Sequence, residues 1–235
     1  PDRLALEKPP SWQVDTGTAE PEARPLSGAL AVLRGPRRCT ISRDVSHDRG
    51  FLHRLDVPSS GVILVATTYA AYYDLKLQLN AGDISRDYTV LLHGWMAPSR
   101  TEVSARVLLE ASDSVSVISR RGKPARTRLK VMAHARREGR AFSLTCVQIE
   151  TGRTHQIRVH SAHVAHPTTS DGRYAVEDTA AADLQWCPRH FLHRHRLAFR
   201  DLAGTPIEGL TPLPRDLAIA LRQLSPRPGP SERAL

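Results

Sequence analysis

Many short strand-like runs and few helical ones predict an α+β fold with a mostly antiparallel sheet. Four stretches between residues 103 and 149 carry this reading: 103–109, 114–119, 127–133 and 141–149 read as strands separated by turns. In the third, Leu129 and Val131 alternate with Arg128 and Lys130, the period of a strand with one face in water. Strands come in runs rather than alternating strictly with helices, which favours α+β over a parallel α/β sheet.

The other elements follow in chain order. Leu4-Ala5-Leu6 reads as a short strand, and residues 13–46 as irregular chain with a short helix at 27–33, because Pro, Gly, Arg and Ser punctuate them. Val62-Ile63-Leu64-Val65-Ala66 is continuous rather than alternating, so 61–66 reads as a buried strand. Tyr72, Leu75 and Leu79 have helical spacing within 69–80, and Gly82 is placed to end that helix. A second strand is expected at 88–92. A helix is expected at 156–165 with Ile157, Ser161 and Val164 on one face, and a strand at 191–199. Pro214 suits the first turn of a last amphipathic helix carrying Leu217, Ala220, Leu221 and Leu224. Residues 1–224 are expected to form one domain and 225–235 a disordered tail.

With 40% hydrophobic residues in 235, the chain can bury a sizeable core, and with only 5% aromatics that core must be mostly aliphatic. A formal charge of +9 attracts polyanions, so RNA or DNA is the first partner to consider. Cys39, Cys146 and Cys187 are scattered and odd in number, which argues against a disulfide framework and for a reducing intracellular compartment, the cytoplasm or an organelle such as the mitochondrion. No apolar run approaches the roughly 20 residues of a membrane span, so no membrane partner is expected. The chain starts at Pro1 rather than methionine, which reads as a trimmed or processed start.

Two stretches carry chemistry. His53-Arg54-Leu55-Asp56-Val57-Pro58-Ser59-Ser60-Gly61 sets a carboxylate behind an arginine, on a turn that feeds the buried strand. A carboxylate at that place is suited to a nucleophile or base. About a hundred residues later comes Thr151-Gly152-Arg153-Thr154-His155-Gln156-Ile157-Arg158-Val159-His160, dense in phosphate-binding and carboxylate-pairing side chains. Taken alone, Asp56 reads as an ordinary turn aspartate paired with Arg54. The order and spacing of the other motifs change that reading.

Together these stretches resemble the catalytic motifs of the RluA-type RNA pseudouridine synthases. That family's first motif reads His-Arg-Leu-Asp, two variable residues, then Thr-Ser-Gly; here Ser59 replaces the threonine and keeps a hydroxyl. Its second motif is a basic residue, any residue, then Tyr, matched by Arg86-Asp87-Tyr88. Its third is matched by the run from Thr151 to Arg158. The resemblance extends through Glu7-Lys8-Pro9-Pro10, His166-Pro167 with Asp171-Gly172-Arg173-Tyr174, Phe191-Leu192-His193 and Leu213-Pro214-Arg215-Asp216-Leu217. Ser170 stands where the family has Gly before the aspartate, and Thr67 where it commonly has Lys.

The resemblance implies a single catalytic domain built on a curved, mostly antiparallel mixed sheet with flanking helices and an RNA-binding cleft across it, and a reaction that rearranges uridine to pseudouridine in structured RNA, ribosomal or transfer. Asp56 is then the catalytic aspartate, attacking the ribose anomeric carbon or abstracting a ribose proton. Both routes stay open, and neither calls for a metal or redox cofactor. Arg54 is implied to fill the stack left by a flipped-out nucleotide, since a planar guanidinium can stack and hydrogen-bond there. Tyr88 is implied to stack on the target uracil. Arg158 is implied to pair with Asp56 across the cleft, with Ile157 in the apolar wall under the base. His53, Arg86, Arg153, Thr154, His155 and Gln156 are expected to contact RNA, the last four at a helix start that suits a phosphate. Cys187, His190, His193 and His195 lack zinc-ligand spacing, so no metal is expected. A different reading also fits the motifs: a catalytically silent RNA-binding subunit of a ribonucleoprotein particle such as a ribosome.

Overall fold

The computed structural model describes residues 2–14, 24–34, 39–109, 115–229 and 231. In chain order the elements are β1 (Arg3–Lys8), β2 (Trp12–Gln13), β3 (Arg24–Pro25), α1 (Leu26–Arg34), β4 (Ser60–Ala66), α2 (Tyr69–Ala81) and β5 (Ser85–His93). They continue with β6 (Glu102–Ser104), β7 (Val107–Leu109), β8 (Ser116–Ile118), β9 (Arg126–Arg137), β10 (Arg140–Ile149), α3 (Gln156–His163) and α4 (Glu177–Leu184). The last are β11 (Leu192–Arg200), β12 (Pro206–Leu210), α5 (Arg215–Arg222) and β13 (Ser225–Pro226). The architecture is α+β, as the sequence predicts. The chain divides into two compact units, one of Pro1–Arg86 with Arg194–Thr211 and one of Asp87–His193 with Pro212–Leu235.

In the first unit the strand order is β1, β4, β11, β12. β4 pairs antiparallel with β1, Lys8 opposite Gly61 and Arg3 opposite Ala66. Every residue of β4 is buried because both of its faces are packed. Val62, Leu64 and Ala66 meet Tyr72 and Leu75 of α2 in one core; Ile63 and Val65 meet Leu26 and Leu30 of α1 in another. That is the physical content of the unbroken apolar run. α2 begins at Thr68, whose Oγ1 accepts from Ala71 N, and ends at Gly82 with φ of 83°. Gly61 is required: a Cβ there would lie 2.4 Å from Arg194 O and 2.5 Å from Arg194 N.

In the second unit β5, β10 and β9 are neighbours, all antiparallel, and β9 also carries β6 and β13 along its other edge. A bulge sits between Leu144 and Thr145, where Ala133 and Val131 are the successive partners. It swaps the faces of β9. Before it, Thr127 and Leu129 point toward α3, whose Gln156 and His160 side chains both bond Thr127 Oγ1. Beyond it, Ala133 and Ala135 turn to the opposite face and join Phe142, Leu144, Trp186, Phe191, Leu217 and Ala220 in a separate core under α5.

Several expectations are corrected. The strand expected at 103–109 is two, β6 and β7, with Arg106 and Ala105 between them. α4 and β12 were not expected. The start of the expected disordered tail is strand: Ser225 and Pro226 pair with Arg136 and Ala135, Arg227 N donates to His134 O at 2.8 Å, and the Arg227 guanidinium lies 4.9 Å from the Trp95 ring centre. Residues 230 and 232–235 lie outside the described residues.

Candidate active site

In the first unit, Asp56 sits on a tight turn closed by Ser59 N donating to Asp56 O at 3.0 Å, immediately before β4. It is half-buried, and Arg54 two residues earlier is exposed. The turn is held from outside itself. Val57 O accepts from Ser11 N at 2.9 Å and from Lys8 Nζ at 3.1 Å. Lys8 is fully buried, and its ammonium also donates to Pro9 O and Trp12 O. A buried charge is tolerable when its donors meet oriented carbonyls, and here those bonds fix the backbone next to Asp56.

Of the other two residues expected to contact RNA on this unit, His53 is half-buried and Arg86 is buried. Arg86 is only 3% exposed. Arg194, fully buried, donates from Nη1 to His53 Nδ1 at 2.9 Å and to Val62 O at 3.1 Å. An arginine has only donors, so the His53 ring must be neutral at that nitrogen. Burial and the charges of Arg194, Arg86 and Lys76 agree, holding the His53 pKa well below the ordinary imidazole value.

In the second unit, Tyr88 lies on β5 opposite Val147 of β10, which lies opposite Leu129 of β9. Directly paired residues share a face, so the buried Tyr88 side chain is on the face that carries α3. α3 supplies Ile157 and Arg158, both buried. Its start is not the open phosphate cradle the sequence suggests. His155 caps it in a left-handed conformation, φ 54°, without a side-chain cap bond. Gln156 is buried and its amide is spent within the protein: Oε1 accepts from Thr151 Oγ1 and Arg153 N, and Nε2 donates to Arg126 O and Thr127 Oγ1. Gln156 is a staple for this loop. Arg153 donates from Nε to Pro124 O, Thr154 O accepts from Ser116 Oγ, and His155 Nδ1 meets Tyr174 Oη at 3.0 Å.

The partner shown for Arg158 is Asp171. Nε donates to Oδ2 and Nη2 to Oδ1, each at 2.7 Å. The sequence marked Asp171 as part of the resemblance but gave it no role. Lys8 was marked in the same way, and Arg194 was given no role. Among the described residues no group of three His, Cys, Asp or Glu side chains could hold a metal ion, and no helix is long and apolar enough to cross a membrane. Cys187, considered for zinc, is buried and donates from Sγ to Arg189 O.

The chain is similar to known proteins in sequence and in fold. The family model described as RNA pseudouridylate synthase matches residues 3–163. Ribosomal large subunit pseudouridine synthase D of Xanthomonas campestris pv. campestris is 32% identical over 95% of this chain and 68% of its own length. The protein of the same name from Haemophilus influenzae is 29% identical over the same shares. The solved structure of human RNA pseudouridylate synthase domain containing 1 superposes with a TM-score of 0.72 at 25% identity, covering 96% of this chain and 85% of that one. The match spans the turn of Asp56, the strand of Tyr88 and the helix of Arg158. On these grounds the chain belongs to the RNA pseudouridylate synthase family, in its RluA-type branch, and is a pseudouridine synthase, an isomerase.

Proposed function

We propose that this enzyme converts uridine to pseudouridine in large-subunit ribosomal RNA and that Asp56 is its catalytic aspartate. The names of the relatives support the RNA class. The observation that carries the assignment of Asp56 is its place: a half-buried carboxylate on a pinned turn at the mouth of a fully buried strand. Burial on one side keeps the carboxylate reactive, and the turn keeps it aimed.

In the reaction the C1′–N1 bond of uridine breaks, a C1′–C5 bond forms, and the proton lost from C5 is balanced by one gained at N1. Asp56 serves either as nucleophile at C1′ or as base on the ribose. Arg54, exposed, fills the stack left by the flipped nucleotide. The Tyr88 ring and Ile157 wall the base, and Arg158 serves as counter-ion to Asp56. Arg153, Thr154 and His155 meet RNA on the half-buried loop before α3. Residues 1–224 act as one catalytic domain.

The test is Asp56→Asn assayed on large-subunit rRNA by carbodiimide mapping of pseudouridine. Asn keeps the shape but is neither nucleophile nor base, so turnover should fall by at least about a hundredfold. The melting temperature and RNA affinity should stay at the parental values. Residual turnover within about tenfold of the parent sinks the role of Asp56. A parent protein that makes pseudouridine in another RNA but not in large-subunit rRNA would overturn the substrate assignment.

A further inference from the structure

The segment after α3 holds two side chains that the proposed chemistry leaves unused. Asp171 is 1% exposed and takes the Arg158 guanidinium in a fork, 2.7 Å on each prong. Tyr174 lies beneath the same group, its ring centre 5.0 Å from the guanidinium carbon. A two-pronged carboxylate fixes both the position and the plane of a guanidinium, which a point charge cannot do. An aromatic face adds a second restraint perpendicular to the first.

Both residues are themselves fixed. Arg173 N donates to Asp171 Oδ1, and Tyr174 N and Ala175 N donate to Asp171 O. Just before Asp171, Ser170 N donates to Asp183 Oδ2, which His93 Nε2 meets at 2.7 Å. The Tyr174 hydroxyl accepts from Ser116 N at 2.8 Å and contacts His155, so its ring is tied to β8 and to the loop before α3. Burial pushes the Asp171 carboxyl up, but hydrogen bonds and charge from Arg158 outweigh it, so the group is ionised at neutral pH.

We propose that Asp171 and Tyr174 are positioning residues for pseudouridine formation: together they set the plane and reach of the Arg158 guanidinium before RNA arrives. This rests on the reading of Arg158 as a residue of the reaction centre. Neither side chain needs to touch RNA. Their loss should therefore appear in the chemical step and leave RNA affinity alone. It should also cost nothing further once Arg158 is gone, because the two act only through it.

A double-mutant comparison tests this. Asp171→Asn, Arg158→Ala and the double variant are assayed under single turnover on large-subunit rRNA, with RNA affinity and melting temperature measured alongside. Each single variant should slow the chemical step by roughly a hundredfold at unchanged RNA affinity, as expected when a reacting group is misplaced by about an ångström. The double variant should be no slower than Arg158→Ala. Tyr174→Leu should slow the reaction less, and also add nothing to Arg158→Ala. Losses that multiply overturn the inference, as does a parental rate in folded Asp171→Asn. If Asp171→Asn does not fold, Tyr174→Leu, which keeps the ion pair, decides by the same comparison. A parental rate in Arg158→Ala overturns both the inference and the role of Arg158, whereas multiplying losses overturn the inference alone.

Discussion

Lys8 is an extreme case at the residue scale: a fully buried ammonium whose donors end on Pro9 O, Trp12 O and Val57 O. Replacing it by Met keeps the aliphatic stem but orphans buried carbonyls and releases the backbone beside Asp56. Hydrogen bonds to a charged group contribute about 1.5–3 kcal/mol each, partly offset here by relief of burying the charge. Lys8→Met should therefore cost about 3 kcal/mol in a urea titration and lower turnover through the loosened turn. A variant as stable as the parent would mean that the lysine only fills space. The roles of such residues are poorly legible in sequence. Gly61 and the turn of Asp56 could be read because backbone geometry restricts which residues fit. Lys8, Arg86 and Arg194 could not, because a cation in a one-dimensional string reads as solvated, and only the fold shows which carbonyls and rings it meets.

At the scale of elements, β4 and α2 were legible because a run packed on both faces and a capped helix each leave a pattern in the string. The bulge in β9 was not. Odd-numbered residues are buried along most of the strand, Thr127 and Leu129 before the bulge and Ala133 and Ala135 after it, so the burial alternation runs through unbroken while the faces exchange. The two-residue strand β13 was missed for a related reason: its two backbone pairings need no apolar pattern. The turn before Asp171 makes an element-scale prediction. Ser170 has φ of 60°, a conformation that costs a non-glycine residue about 1–2 kcal/mol. Its Oγ donates to Cys187 O at 2.7 Å, a bond worth about 1 kcal/mol. Ser170→Gly relieves the first and loses the second, so chemical denaturation should show a change of less than about 1 kcal/mol. A loss well above that would place the stability of this turn in the hydroxyl rather than in the backbone.

Across the whole molecule, one histidine in each unit, His53 and His160, has its pKa lowered and contributes to the response to acid. In the first unit His53 is neutral and accepts from Arg194. In the second, His160 donates from Nε2 to Ala105 O and faces Thr127 Oγ1 with Nδ1. Burial lowers the pKa of both; the charges of Arg194, Arg86 and Lys76 add to this at His53, and at His160 the bond to Ala105 opposes it only in part. The sign follows directly. Below about pH 6.5 the unfolded chain takes up a proton at each histidine and the folded chain does not, so stability falls as pH drops through that value. The limiting slope is about 1.4 kcal/mol per pH unit for each histidine until its folded pKa is reached. Asp171 and Asp216 act in a separate window. Burial raises both carboxyls, but Arg158 and Arg189 outweigh it and hold them below the ordinary value. Their contribution is present above about pH 4 and lost as pH falls through the folded values. Urea midpoints measured from pH 7.5 down to 4.5 should therefore decline from about pH 6.5, well before any carboxylate titrates. His53→Gln, which can still accept from Arg194, should remove one histidine's share of that slope, and His160→Gln the other. A midpoint that stays level down to pH 5 would show that these rings take up protons in the folded protein, and the neutral network assigned to them would fail.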